Sequence, residues 1–430
     1  MEWSIYNHLY YSKKAKSHLL YSSLSNMLIK LSKDDYDAIL AIKNDPNCID
    51  AKDDQYKFLF EGRFIVKSND NETNKLVLSA LIKRFNSNLL SLTIAPTRFC
   101  NFNCSYCYEV NKVNKKMSQK VQNGILNFVK NKFNTIDTLG VVWYGGEPLL
   151  EINIIKYMSS ELQKLVKNYS AYMVTNGFHL DKLIDSIQEL KIAGLQITLD
   201  GTKDTHNLTR HLKNGKGTFD KILANIDALI AREHNINISI RMNISKSNSD
   251  QYVSLLYILR ERFGRKVHLY PAFVRDHGGG CFADSCYENS VQKAVFLKSI
   301  FDEYGVYTKD IYPTRTFKGC MSQRMNAFVI GVEGELYKCW HHLGIEEKIV
   351  GSIFDPNTIT DYSLLSDMMI MDDALFDNEC RKCVLFPSCH GGCIDEKSRN
   401  KDYCIPAKST LEDFIDIHYA VKTGNNNCGK

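Results

Sequence analysis

Short apolar runs and helix-period apolar stripes alternate along the middle of this chain. Strand-like runs fall near 90–95, 138–144, 171–175, 195–199, 236–242 and 266–270. Between them lie amphipathic stretches. In one, Val121, Ile125, Phe128, Val129 and Phe133 recur at helical spacing after Ser118, whose hydroxyl suits a helix cap. Six strand-then-helix units in succession predict an α/β fold with a parallel sheet over 89–310. In such folds, ligand-binding loops gather beyond the carboxyl ends of the strands.

The flanking segments follow other patterns. In residues 1–88, the aromatic-rich runs Tyr6 to Tyr11 and His18 to Tyr21 read as strands, and Met27 to Leu31 leads through Ser32 into a helical run from Asp34 to Ile42. Lys57 to Phe60 then predicts a short helix, and Arg63 to Val66 a final strand around Gly62. Residues 276–290 show neither period. Their Gly278-Gly279-Gly280-Cys281 run predicts a mobile connection, with Cys281 and Cys286 as spare thiols or extra ligands. Residues 311–430 are dense in cysteine.

A length of 430 residues fits two or three domains, and 44% hydrophobic residues suffices for packed cores. The opening Met1-Glu2-Trp3-Ser4 has no signal-peptide pattern and no run reaches membrane-span length, so a cytoplasmic location is expected, with no membrane partner. Fourteen cysteines are too few for a disulfide scaffold of this length, and a reducing compartment leaves them as thiols for metal. A net charge of +5 without a long basic run gives nucleic acid binding no support.

Three thiols, Cys100, Cys104 and Cys107, stand within eight residues just after the first strand. They suit three irons of a cubane cluster, leaving one iron open; a zinc knuckle short of a ligand, or three buried cysteines, would also account for the spacing. Other unusual residues also stand at strand ends: Gly145-Gly146-Glu147-Pro148, Thr175-Asn176-Gly177, Thr198-Leu199-Asp200-Gly201 and Arg241-Met242-Asn243. The two glycines allow close backbone approach and Glu147 offers a carboxylate to a cation, although such a tetrapeptide alone is more often a plain turn. The C-terminal segment holds Cys320, Cys339, then Cys380-x2-Cys383-x5-Cys389-x3-Cys393 and Cys404. Iron-sulfur clusters and zinc both remain open for that set.

Cys-x3-Cys-x2-Cys with Tyr106 before the last cysteine resembles the signature of radical S-adenosylmethionine (SAM) enzymes. The resemblance implies a partial (β/α)6 TIM-like barrel. It also implies a [4Fe–4S] cluster whose open iron is chelated by SAM, and reductive cleavage of SAM to a radical that removes hydrogen from a substrate. By the same resemblance Gly145, Gly146 and Glu147 form the segment for the SAM amino group, Tyr106 lies by the adenine, and Thr175, Asn176, Thr198, Asp200 and Arg210 line the SAM site. The run His206-Asn207-Leu208-Thr209-Arg210 followed by Gly215-Lys216-Gly217-Thr218-Phe219-Asp220 is similar to that of members with a C-terminal SPASM domain.

In that domain two auxiliary [4Fe–4S] clusters are implied, three clusters in all. Cys380, Cys383, Cys389 and Cys404 would ligate the outer one; Cys320, Cys339 and Cys393 would ligate the inner one, leaving it a protein ligand short. Members that mature sulfatases carry an Asp directly after the cysteine matching Cys339. Here Trp340 stands there, followed by His341 and His342, for which an exposed pair is expected. The pattern of 1–88 looks like the winged-helix-like peptide-recognition domain of enzymes that modify ribosomally made peptides.

The family then implies a peptide maturase that forms a thioether or carbon-carbon crosslink on a precursor peptide. Its leader would be held by residues 1–88, and a flavodoxin or ferredoxin would supply electrons. The alternatives are a sulfatase-maturating-type side-chain oxidase and a non-enzymatic cluster protein for electron transfer or sensing. No residue is singled out as a catalytic base.

Overall fold

The six predicted strands are present, in sequence order, in one sheet. The computed structural model describes residues 1–424 apart from 50–53, 69–70, 108, 110–113, 133–135, 276–285, 315–318, 372, 390 and 400–403. Gly278, Gly279, Gly280, Cys281 and Phe133 therefore lie outside the described residues. The strands are β1 (Leu89–Ile94), β2 (Thr138–Trp143), β3 (Asn168–Thr175), β4 (Ile192–Thr198), β5 (Asn237–Ile244) and β6 (Val267–Phe273), each parallel to the next. Three strands extend the sheet beyond β1. β7 (Ala327–Ile330) pairs parallel with β1, and β8 (Glu335–Tyr337) and β9 (Gly351–Ser352) follow antiparallel. The sequence pattern leaves these three unassigned, because runs of two to four residues carry no readable period.

The two faces of this sheet differ. Leu90, Leu92, Ile94, Leu139, Val141, Trp143, Ala171, Met173, Leu195, Ile197, Ile238, Ile240 and Met242 alternate along their strands, and all are buried. On the other face stand Thr93, Gln196, Thr198, Ser239, Arg241, Asn243 and Tyr270, a polar lining unusual for a parallel sheet. Tyr270 donates to Gln196 Oε1 at 2.6 Å across this face.

The connections are α1 (Gln119–Lys132), α2 (Ile152–Leu165), α3 (Lys203–Thr209), α4 (Phe219–Ala231) and α5 (Gln251–Phe263). Ser118 Oγ accepts the Val121 N–H at 3.3 Å, the cap its position suggested. Between β3 and β4 the chain makes two single 3-10 turns, Leu180–Lys182 and Ile184–Ser186, in place of a long helix.

By contact density the chain groups into two units that interleave in sequence, where the pattern suggests three successive domains. One comprises 86–287 with 321–367 and carries the sheet; the other comprises 1–85, 288–320 and 368–430. In the second unit, strands Asn7–Ser12, Ser17–Ser22 and Met27–Leu31 form an antiparallel meander. Helix Lys33–Asn44 follows, entered through a capping box in which Ser32 and Asp35 satisfy each other's backbone N–H. Leu20, Leu31, Ile39, Ile42, Leu59 and Phe64 make its core. Ile65–Val66 pairs with Glu2–Trp3, and helix Glu72–Arg84 was not predicted.

The two ends of the chain meet within this unit. Tyr10 donates to Asp416 Oδ1 at 2.6 Å, Tyr21 donates to the Pro313 carbonyl at 3.2 Å, and Arg84 forms a buried ion pair with Asp373. Among the described residues, no helix is long and apolar enough to cross a membrane.

Candidate active site

The loops at the carboxyl ends of β1 to β5 converge on the Cys100–Cys107 loop. After β2 the chain turns at Gly145 with φ of 113°, and a Cβ on Gly146 would lie 2.4 Å from the Phe99 carbonyl oxygen. The glycines therefore let this strap lie directly against the cysteine loop. Gly146 N–H donates to Thr97 O at 3.1 Å and Glu147 N–H to Phe99 O at 2.9 Å. The fully buried Glu147 carboxylate accepts from Leu149 N–H at 3.0 Å, Thr175 Oγ1 at 2.7 Å and Asn176 N–H at 2.7 Å. Burial pushes its carboxyl up, against these three donors. Glu147 thus ties the β2 and β3 loops together. Thr175 and Asn176 are both engaged: Asn176 Nδ2 donates to Asn101 Oδ1 at 2.8 Å, and its Oδ1 accepts Phe178 N–H at 2.9 Å.

On the other side of the cysteine loop, Tyr106 joins three side chains. Its hydroxyl donates to Asp200 Oδ2 and accepts from Arg210 at 2.6 Å and from Asn243 Nδ2 at 3.0 Å. Asp200 Oδ1 also accepts the Asn243 N–H at 2.9 Å, and Arg210 stands 3.9 Å from Asp200. Burial pushes the Asp200 carboxyl up, while Arg210, Tyr106 and Asn243 favour its ionised form. Burial also holds the Tyr106 hydroxyl protonated. Arg210 is buried rather than paired at the surface, and although burial opposes its charge, Cys104, Tyr106 and Asp200 outweigh that and raise it. Thr198 is buried at the end of β4, beside Arg241 in register.

His206, Thr218 and Asn243 complete the arrangement; the sequence motifs contain all three without assigning a role to any of them. His206 is fully buried, with its pKa pushed well down by desolvation and then by Arg210. Its Nδ1 accepts the Asp200 N–H at 3.3 Å, so Nε2 carries the proton and donates to Thr218 Oγ1 at 3.0 Å. Thr218 in turn donates to the Arg210 carbonyl at 2.6 Å. A neutral imidazole therefore fixes the backbone at both Asp200 and Arg210. Gly217 packs where a Cβ would strike Asn207, whose Oδ1 accepts Thr218 N–H at 2.8 Å and Phe219 N–H at 3.1 Å.

The donor set fits a SAM-chelated cluster on one observation in particular. Arg210 Nε and Asn101 Nδ2 are buried without an acceptor among the described residues, and both flank the cysteine loop. Buried donors left unpaired are costly, and a carboxylate-bearing ligand would satisfy them.

Trp340 belongs to the same unit. Its Nε1 donates to Thr93 Oγ1 at 2.9 Å on the polar face of the sheet, and its ring lies 4.8 Å from that of Tyr144. Cys107, Cys339 and Arg241 all lie within electrostatic reach of the Tyr144 hydroxyl, whose pKa burial raises. His342 is 2% exposed, so the expected exposed histidine pair is not found. His342 follows Cys339 in a 3-10 turn (Trp340–His342) whose backbone folds inward, which its polarity alone did not suggest.

In the other unit, short helices bring together Cys380, Cys383, Cys389 and Cys404. Lys408 Nζ lies 3.2 Å from Cys383 Sγ and within electrostatic reach of Cys404 and Cys380. Burial pushes the Cys389 thiol up, while N–H groups of Gly391, Ile405 and Gly392 donate to it and Cys383 lies nearby. Asp377 Oδ1 caps helix Asn378–Lys382 by accepting Glu379 N–H and Cys380 N–H, each at 2.9 Å. Cys320 and Cys393 belong to this unit and Cys339 to the first. Cys286 is buried and disulfide-bonded, so it is not a spare thiol. Among the described residues, no three Cys, His, Asp or Glu side chains converge as around a single ion. A cubane cluster holds its thiolates at separate corners and does not require that convergence.

The family model described as the Radical SAM superfamily matches residues 94–260, the span from the end of β1 through α5 that contains this site. Residues 94–260 are therefore a radical SAM domain. The match supports an enzyme that uses SAM and a [4Fe–4S] cluster, and the C-terminal cysteine pattern resembles that of a SPASM domain. A cysteine-type anaerobic sulfatase-maturating enzyme of Clostridium novyi is 26% identical over 379 residues, covering 78% of this chain and 98% of that protein. A solved structure of native anSMEcpe with bound AdoMet superposes with a TM-score of 0.61 at 19% identity, over 79% of this chain and 99% of that one. Streptococcus suis SuiB, bound to its precursor peptide SuiA, matches with a TM-score of 0.52 at 13% identity, over 95% of this chain and 100% of that one. These likenesses show a shared α/β fold.

Proposed function

We propose that this radical SAM enzyme is a peptide maturase that abstracts hydrogen from a ribosomally made precursor peptide and forms a thioether or carbon-carbon crosslink. The observation carrying this reading is Trp340. Where sulfatase-maturating members carry an acid after the matching cysteine, this chain presents an indole held by Thr93 and Tyr144, a surface for an apolar or aromatic peptide side chain rather than a proton acceptor. Bound at Cys100, Cys104 and Cys107, the cluster and SAM would supply the hydrogen-abstracting radical. Arg210 would take the SAM carboxylate. Asp200, Tyr106 and Asn243 would hold Arg210 in place, while Glu147, Thr175 and Asn176 keep the β2 and β3 loops against the cysteine loop.

The same reading assigns three four-iron clusters, with the outer one at Cys380, Cys383, Cys389 and Cys404 and the inner one at Cys320, Cys339 and Cys393. It takes the chain as a recognition domain (1–88), a partial (β/α)6 barrel core (89–310) and a SPASM domain (311–430). The N-terminal meander would bind the leader by strand addition, with a flavodoxin or ferredoxin as donor in the cytoplasm. SuiB and its bound peptide support a peptide substrate. A second reading, oxidation of a sulfatase-type side chain, is supported by the sulfatase-maturating relatives, which span most of the chain.

One experiment separates the two. The anaerobically reconstituted protein is supplied with SAM, reductant and either a short peptide encoded beside its gene or a Cys- or Ser-containing sulfatase peptide. Tandem mass spectrometry of a crosslinked product supports maturation; conversion of the sulfatase peptide to an aldehyde overturns it in favour of the second reading. Iron and sulfide of about twelve each per chain support three clusters, whereas about four of each with zinc make the C-terminal region structural.

A further inference from the structure

Lys408 is the exposed residue whose position the proposed reaction does not explain. It closes the turn Pro406–Lys408, four residues after Cys404, and its ammonium donates to Cys383 Sγ at 3.2 Å. Cys380 and Cys404 also lie within its electrostatic reach. Cys389 receives backbone N–H groups, from Gly391, Gly392 and Ile405. Backbone donors carry only partial charges. Lys408 brings a full positive charge to the edge of a group of thiolates, and hydrogen bonds and charge at ligand sulfurs are what set the potential of a bound cluster.

We propose that Lys408 is a positioning residue for the outer auxiliary cluster, raising its reduction potential so that it accepts an electron more readily than the other clusters of the chain. The inference rests on the three-cluster reading. A positive charge favours the reduced, more negative cluster. The hydrogen bond to Cys383 delivers that effect at one corner of the site. Because Lys408 is exposed, its replacement leaves the core of the unit intact.

The test uses the full-length protein, wild type, K408M and K408R, reconstituted anaerobically. Iron, sulfide and zinc are counted first, and the reduction of each cluster is then followed by EPR against applied potential. In K408M, one midpoint potential is expected to fall by about 59 mV, a tenfold change in its one-electron equilibrium, while the others stay in place. K408R, which keeps the charge, is expected to remain close to wild type. Identical potentials in K408M and wild type, or a uniform shift of all of them, overturn the inference. Loss of iron in K408M alone overturns it too, by making Lys408 a residue of cluster assembly. A wild-type count of about four iron with zinc instead overturns the three-cluster reading itself, a result the metal analysis gives before any potential is measured.

Discussion

The two cysteine-rich regions of this chain are held in opposite ways. The Cys100–Cys107 loop leaves a parallel strand and is surrounded by side chains from four other strand ends, with Arg210 Nε and Asn101 Nδ2 buried and unmatched beside it. In the Cys380–Cys404 set, Cys380 and Cys389 sit on helical turns of five and four residues, Cys389 receives backbone N–H groups, and Cys383 receives the Lys408 ammonium. A site built to bind a small molecule keeps polar side chains in reserve. One built only to hold a metal group closes its donors on the ligands themselves. That criterion supports the proposal that the first region is the reactive one.

Removing a ligand from the reactive loop tests the contrast most severely. C104A is expected to lower SAM cleavage below detection and to remove about four iron per chain, while C383A leaves SAM cleavage in place; chromatography of 5'-deoxyadenosine and iron analysis read both. Next comes the network behind the loop. D200A strands the buried Arg210 and Tyr106, so a loss of about 3–5 kcal/mol in stability and about 10²-fold in SAM cleavage is expected, measured by denaturant unfolding and single-turnover assay. Retained cleavage in D200A would detach the network from the site.

G146A probes the strap alone. Its Cβ would press on the Phe99 carbonyl at 2.4 Å, so reduced cluster loading at Cys100, Cys104 and Cys107 is expected, with the C-terminal clusters unchanged by Mössbauer spectroscopy. The smallest effect belongs to the closed region. D377A removes the cap on Glu379 and Cys380 N–H and is expected to cost about 0.5–2 kcal/mol, without changing SAM cleavage. If D377A instead abolished cleavage, the division of labour between the regions would fail.

Much of this was legible because it rests on local chemistry. Six apolar runs became six parallel strands, since burial of a strand shows directly in its residue types. The Cys-x3-Cys-x2-Cys spacing, the Gly145-Gly146 turn and the capping residues Ser118 and Ser32 are likewise decided within a few residues. The cysteine pattern pointed to the radical SAM domain for the same reason.

What only the tertiary structure decided depends on residues distant in sequence. Tyr106, Asp200, Arg210 and Asn243 meet because three strand ends fold to one place; nothing in their spacing announces that Tyr106 bonds Asp200 or that His206 links Asp200 to Thr218. Glu147 also holds two loops together, because its burial demands partners that only the fold supplies. β7 extended the sheet although it is four residues long, since pairing with β1, and not local preference, stabilises it. The meeting of the chain's two ends through Tyr10 with Asp416 and Arg84 with Asp373 has the same origin. Hydrophobic period and ligand spacing are properties of neighbouring residues, whereas charge pairing and hydrogen-bond satisfaction belong to whichever groups the folded chain brings within reach.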